Sequence, residues 1–338
     1  MTNQQYRNAV HSLCQKISKD RLIIQGAGGN VSWKTETHLW IKLSGTWIED
    51  AQNKDIFGSI SLDKLNELIK QQTFIVDPAM MDQDNVRPSI EVMLHAIVNK
   101  RYVFHLHMVE VVAALINQSE QLLESLAKHG LNAQVIPYRK PGEELAEAVF
   151  QSMNHHPKCN LLCLENHGVV LFSDDIKEIE SHIALLQKIC NKEVFQINRL
   201  LNQNIPQVIH DTEYKLLDDL QMNSLVFSNE IYSQLIHLWP ICPDHLVFLG
   251  PKPYLFDHVD DFIESKDWSH QPPLVFVKNT GIYIHTDIFT KIHFIQLQCF
   301  VEILLRLDRY KDVPVIPDHE IQKLLNWDAE KYRQQMNQ

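Results

Sequence analysis

No run of basic residues stands out anywhere in this 338-residue chain, whose formal net charge is −11. A nucleic acid or an anionic membrane surface needs a positive footprint, so both are poor partners for it. Long apolar runs are missing too: the longest, 111–116 and 169–172, fall far short of the ~20 residues that span a bilayer. The first thirty residues carry no apolar segment of the kind a secretory signal needs. A cytoplasmic protein with no membrane partner is expected. The six cysteines (Cys14, Cys159, Cys163, Cys190, Cys242 and Cys299) form neither a disulfide framework nor a CxxC knuckle. Cys159 and Cys163 flank an apolar strand and read as small buried residues. Neither GxGxxG nor a P-loop occurs, so nothing marks a nucleotide site. Repeats and low-complexity tracts are absent as well.

What is present is ordinary for a globular protein, with 45% hydrophobic and 22% charged residues. The length allows one large domain with an appendage, or two domains. Helices and strands alternate up to about residue 204, which predicts a layered α/β architecture. The pattern gives a helix over 4–19, a strand over 22–25, and strands over 30–34 and 38–43. Helices are expected over 61–71 and 90–100, the second capped by Ser89, with a strand over 102–107 directly behind it. Further helical patterns cover 109–117, 121–129, 142–153 and 176–189, with strands over 133–138, 159–165 and 169–172. These strands are too short and too hairpin-like for a purely parallel doubly wound sheet. Beyond 205, prolines punctuate short strands over 245–249, 274–277 and 282–285, and helices over 288–307 and 320–335 close the chain. The expected division is a first domain over 1–205 and a smaller α+β appendage over 206–338.

The side chains able to do chemistry gather in the first domain. A strand alternates its side chains, so His105 and His107 leave one face together. With His167 at the end of another strand, they make a three-imidazole set that leaves a fourth position open, as a catalytic zinc requires. Zinc is the first choice, although an all-histidine set also admits iron, cobalt or manganese. Taken singly, each histidine reads as a hydrogen-bonded strand-end or turn residue. Glu91 and His95 share a helix face at i, i+4. Glu91 is then either a first-turn acid suited to the helix dipole or a general base beside a metal-held carbonyl. His95 reads as a supporting residue. Gly28, Gly29, Asn30, Ser44 and Gly45 are turn residues that also suit convergence of backbone N–H groups on an anion. In Cys242-Pro243-Asp244-His245, Asp244 and His245 either stabilise a proline turn or reach into an active site.

Six segments, in order, resemble the successive signatures of class II aldolase/adducin-type domains. They are Gly28-Gly29-Asn30-Val31-Ser32, Ser44-Gly45, Pro88-Ser89-Ile90-Glu91-Val92-Met93-Leu94-His95, His105-Leu106-His107, Ile136-Pro137-Tyr138-Arg139-Lys140-Pro141-Gly142 and Asn166-His167-Gly168. The likeness covers residues 10–205, and its spacing is nearest to the aldolase half of bifunctional rhamnulose-phosphate aldolase/dehydrogenase proteins. The resemblance implies a class II aldolase-like αβα fold around a nine-stranded, mainly antiparallel sheet, usually built into a homotetramer with active sites between subunits. It carries His105, His107 and His167 over as zinc ligands and Glu91 as the acid/base. It carries Gly29, Asn30, Ser44, Gly45 and Ser89 over as the phosphate pocket. The implied activity is that of a metal-dependent lyase of carbohydrate metabolism, cleaving a carbon–carbon bond of a small sugar or sugar phosphate through a metal-stabilised enediolate.

Three positions depart from that pattern. Ile90 stands where such aldolases often carry a second serine. Lys42 stands where a neutral hydroxyl opens the Ser44-Gly45 turn, and either contacts a carboxylate or phosphate or points to solvent. The tyrosine that donates a proton in fuculose-type enzymes has no match between His107 and Tyr138. The same family also holds decarboxylases, dehydratases and 4-epimerases, the last tending to carry Asp at the Glu91 position. An adducin-like scaffold is the non-catalytic alternative, and it would be expected to have lost the metal histidines.

Overall fold

The computed structural model describes residues 2–194, 205–210, 212–265 and 271–337. The chain divides into two compact units, one of Met1–Lys192 with Asn326–Asn337 and one covering Glu193–Leu325.

The first unit opens with α1 (Asn3–Ile17), started by a capping box at Thr2. The strand expected over 22–25 is a turn instead. Ile23 and Ile24 are buried there without a strand partner, because so short an apolar run carries no period of its own. Seven strands follow: β1 (Asn30–Lys34), β2 (His38–Lys42), β3 (Phe57–Ser61), β4 (Tyr102–Leu106), β5 (Ala133–Ile136), β6 (Leu161–Leu164) and β7 (Gly168–Ser173). Their order is β3-β2-β1-β4-β7-β6-β5. β5 and β6 run parallel while the other neighbours are antiparallel. The sheet is therefore mixed, with seven described strands in place of the nine implied by the resemblance. A helix, α5 (Glu143–His155), bridges β5 and β6, and a helical crossover returns the chain parallel to itself.

Both faces of the sheet are covered. Buried residues of α1, α4 (Val109–Lys128) and α6 (Ile176–Cys190) pack with Trp33, Phe104, Leu106 and Leu171. On the other face α2 (Leu62–Lys70), α3 (Val92–Ile97) and α5 pack with Leu39, Ile41, Val103, Leu162 and Val170. β4 alternates as its period requires: Phe104 and Leu106 join the first layer, Val103 the second. His105 therefore faces the side that holds α3. The helices predicted over 109–117 and 121–129 meet within α4 at a break, where Gln118 leaves the helical region at φ −158° and ψ 67°. α3 is shorter than the predicted 90–100 and begins with Glu91, not Ser89, at its N-cap.

The second unit holds a four-stranded sheet in the order β8-β11-β10-β9, made of β8 (Tyr214–Leu216), β9 (Leu255–Phe256), β10 (Leu274–Val277) and β11 (Gly281–His285). The strand expected over 245–249 is a buried helix, α9 (Pro243–Leu249), which in the chain follows α7 (Leu220–Phe227) and α8 (Asn229–Gln234) and precedes α10 (Val259–Glu264). Pro243 pre-sets the first helical position, and a short apolar run looks alike in a buried helix and a buried strand. After α11 (Lys291–Leu304) the helix expected over 320–335 is two: α12 (Asp318–Leu325) and α13 (Asp328–Gln335). α13 packs with the first unit instead of closing the appendage. No described helix is long and apolar enough to cross a membrane.

Candidate functional site

His105 stands on β4, and His107 follows one residue after the strand ends. His167 sits in the β6–β7 hairpin, whose turn is made by Asn166 in the left-handed region at φ 55°, a conformation asparagine tolerates. These elements turn three Nε2 atoms toward one point. His107 Nε2 lies 3.1 Å and His167 Nε2 3.3 Å from His105 Nε2. Two nitrogens held at about 2.0–2.1 Å by one tetrahedral ion stand about 3.3 Å apart. All three rings are buried, and their ligand atoms fall within 4.8 Å of one another. The backbone N–H of Gly29 donates to His107 Nε2 at 3.2 Å, so that nitrogen carries no proton and the ring proton belongs on Nδ1. A buried triangle of imidazole nitrogens at this spacing fits a divalent metal ion.

Glu91 edges the triangle. Its Oε2 is 3.6 Å from His105 Nε2 and its Oε1 3.7 Å from His167 Nε2. Asn30 Nδ2 donates to Oε2 at 2.7 Å. Among the described residues Oε1 meets no hydrogen-bond donor. Burial pushes the Glu91 carboxyl up, but His105 and His167, then the Asn30 hydrogen bond and His107, outweigh it and hold the group down at about 2. Glu91 is thus a carboxylate, with one oxygen fixed and the other available to a proton. Asn30 Oδ1 in turn meets His95 Nε2, and Ser32 Oγ lies 2.7 Å from His95 Nδ1. Burial drives His95 well below its ordinary value. It is therefore a neutral ring that donates from Nε2 to Asn30 and accepts at Nδ1 from Ser32. The expected supporting role of His95 takes this concrete form, and Asn30 belongs to the acid's surroundings.

Ser44 and Ser89 line a second feature, a cavity of about 240 Å³ that also receives Arg87, Lys140, Trp327 and Tyr332. Ser89 Oγ accepts the Glu91 N–H at 3.3 Å, which ties the cavity wall to the acid two residues on. Gly45 does not border the cavity. A side chain there would meet Met336 at 2.7 Å, and Asn337 donates to the Gly45 carbonyl at 3.4 Å. Lys42 is buried, and its Nζ donates to the carbonyls of Thr46 at 2.7 Å and Ala27 at 3.3 Å. Lys42 thus braces the loop and does not point to solvent.

Asp244 and His245 lie in the second unit, buried in α9. His245 Nδ1 accepts the Cys242 N–H at 3.3 Å, so the histidine caps its own helix locally. Sequence reasoning missed Ser32, Arg87, Lys140, Trp327 and Tyr332. Ser32 and Lys140 stand inside two of the six signatures and Arg87 directly precedes Pro88-Ser89, whereas Trp327 and Tyr332 carry no local signal.

A family model described as the class II aldolase and adducin N-terminal domain matches residues 8–194. A Bacillus subtilis (strain 168) protein named uncharacterized oxidoreductase YuxG is 26% identical over a 287-residue alignment that covers 71% of this chain and 41% of that protein. The chain thus spans about two fifths of that relative's length. Among solved structures, the N-terminal class II aldolase domain of a conserved protein from Thermoplasma acidophilum is 25% identical with a TM-score of 0.46. It covers 53% of this chain and 90% of that one. A sugar-phosphate aldolase from Thermotoga maritima is 15% identical with a TM-score of 0.42, covering 55% and 93%.

Proposed function

The chain belongs to the class II aldolase and adducin N-terminal domain family over more than half its length, and from that premise we propose that it is a metal-dependent lyase cleaving a carbon–carbon bond of a small sugar or sugar phosphate. The observation that carries this reading is the buried triangle of His105, His107 and His167 Nε2 atoms with Glu91 at its edge. A scaffold without chemistry has no use for three converging imidazoles beside a carboxylate. The relative's name speaks of redox chemistry, but that protein is more than twice as long, and no dinucleotide fingerprint stands in these 338 residues.

In this reading His105, His107 and His167 hold a divalent ion, with zinc the first choice for neutral imidazoles. When bound, such an ion supplies Lewis-acid polarisation of a substrate carbonyl and offsets negative charge developing on substrate oxygens. The chain's own residues do the rest. Asn30 fixes Glu91 Oε2, which leaves Oε1 to take a proton from the substrate and return it. Neutral His95, pinned by Ser32, fixes Asn30. Ser44 and Ser89 offer hydroxyls to the far end of the substrate. The burial of Glu91 and the histidines excludes water from the proton's path.

Elemental analysis of the purified protein beside a His105→Ala/His107→Ala variant tests the centre. About one zinc or other divalent ion per chain, lost in the variant, is expected. Protein that holds no metal and refuses added zinc, cobalt and manganese overturns the proposal. Product analysis on ketose phosphates then separates aldol cleavage, giving two carbonyl fragments, from decarboxylation, dehydration or epimerisation.

A further inference from the structure

The cavity beside Ser44 and Ser89 is walled by two cations, each lying on an aromatic ring. The Arg87 guanidinium stands 4.5 Å from the centre of the Tyr332 ring, and Lys140 Nζ stands 4.6 Å from that of Trp327. Both rings come from the last stretch of the chain, Asn326–Asn337, which belongs to the same compact unit as the cavity. Neither cation makes an ion pair with a carboxylate among the described residues, although Glu143 lines the same cavity at the first turn of α5. A cation over a ring face is attracted by the ring's quadrupole. A guanidinium stacked this way keeps its N–H edges available for two-pronged pairing with an oxyanion. Ser89 points the same way: its Oγ accepts the Glu91 N–H, so its own proton remains to be donated.

We propose that Arg87 and Lys140 read an oxyanion on the substrate, a phosphate or a carboxylate, and that Tyr332 and Trp327 hold the two cations in place to do so. This rests on the lyase reading above, since it names the charged end of that substrate. It makes α13 and its N-cap residue Trp327 part of substrate selection. The oxyanion sits between the cations and the Ser44 and Ser89 hydroxyls, and the reacting carbons extend toward Glu91, two residues along from Ser89.

The test uses the full chain stripped of metal with a chelator and titrated by calorimetry with inorganic phosphate and, separately, with acetate. One of the two anions should bind, and Arg87→Met and Lys140→Met should each weaken it about tenfold. Preference for phosphate marks a phosphorylated substrate, and preference for acetate a sugar acid. Tyr332→Ala, which keeps both cations, should weaken binding by a smaller factor, about threefold. It guards against misfolding of the Arg87 variant. Wild-type protein that binds neither anion, or binding unchanged in both Met variants, overturns the proposal. Failure of the lyase reading would show instead as missing metal or missing products, with the anion titration untouched.

Discussion

Asn30 sits between two ionisable side chains and settles the protonation of both. Its Nδ2 can only donate, so the Glu91 oxygen it meets is an acceptor; its Oδ1 can only accept, so His95 carries its proton on Nε2. With His95 orienting Asn30 and Asn30 orienting Glu91, the acid is held at one oxygen and open at the other. Glu91→Gln keeps the shape and the Asn30 contact but removes the base. Turnover is expected to fall roughly 10²–10⁴-fold while bound metal stays near the wild-type level. Turnover that survives the substitution would move the proton to another group. His105 with His107, and Glu91 with His95, were legible because period-two and period-3.6 spacing place each pair on a shared face without any tertiary knowledge, whereas His167 was legible from its place at a strand end in Asn166-His167-Gly168. The roles of Asn30 and Ser32 were not, since each meets a partner more than sixty residues away, at the start of α3 or within it.

α3 is only six residues long, and a helix of that length does not persist alone in water. Lys34, the last residue of β1, holds its C-terminal end: Nζ donates to the carbonyls of His95 at 2.7 Å, Lys100 at 3.0 Å and Val98. Lys34→Met leaves those carbonyls without their donor and should lower unfolding stability by about 3 kcal/mol, read from urea titrations. Burial pushes the Lys34 ammonium down from 10.5 to about 7, with Asp174 opposing. The unfolded chain then binds the extra proton between about 7 and 10.5, so wild-type stability should climb with pH across that window. Lys34→Met should lack that part of the slope; parallel curves would show the lysine to be charged throughout. At this scale the sequence was clearest where a periodic run was long, as in α1, α4 and α6. It failed at 22–25 and 245–249, where a few apolar residues in a row fit a turn, a helix or a strand equally. The parallel β5–β6 pairing was also hidden, because it follows from where α5 crosses the sheet.

The largest departure concerns where the end of the chain belongs. Residues 326–337 read as the tail of an appendage, yet they join the unit built by residues 1–192. No local pattern announces such a return, since α13 is mostly polar and only its seat on the first unit identifies it. The seat is made by two glycines at positive φ, Gly45 at 78° and Gly142 at 93°. A Cβ at Gly142 would stand 2.7 Å from the Trp327 ring, and one at Gly45 would stand 2.7 Å from Met336. Both sites therefore need glycine twice over, for the backbone and for the close approach. Gly142→Ala should cost about 1–3 kcal/mol from the left-handed backbone alone. Its collision with Trp327 should also lift the chain end. Amide exchange read by mass spectrometry should quicken over 327–337 while β4 and β7 stay as protected as in the wild type. Faster exchange through the sheet as well would mean that the end of the chain supports the whole first unit and not the cavity alone. Unchanged exchange over 327–337 would show that Trp327 is not held against Gly142, and the aromatic support of Lys140 would fall with it.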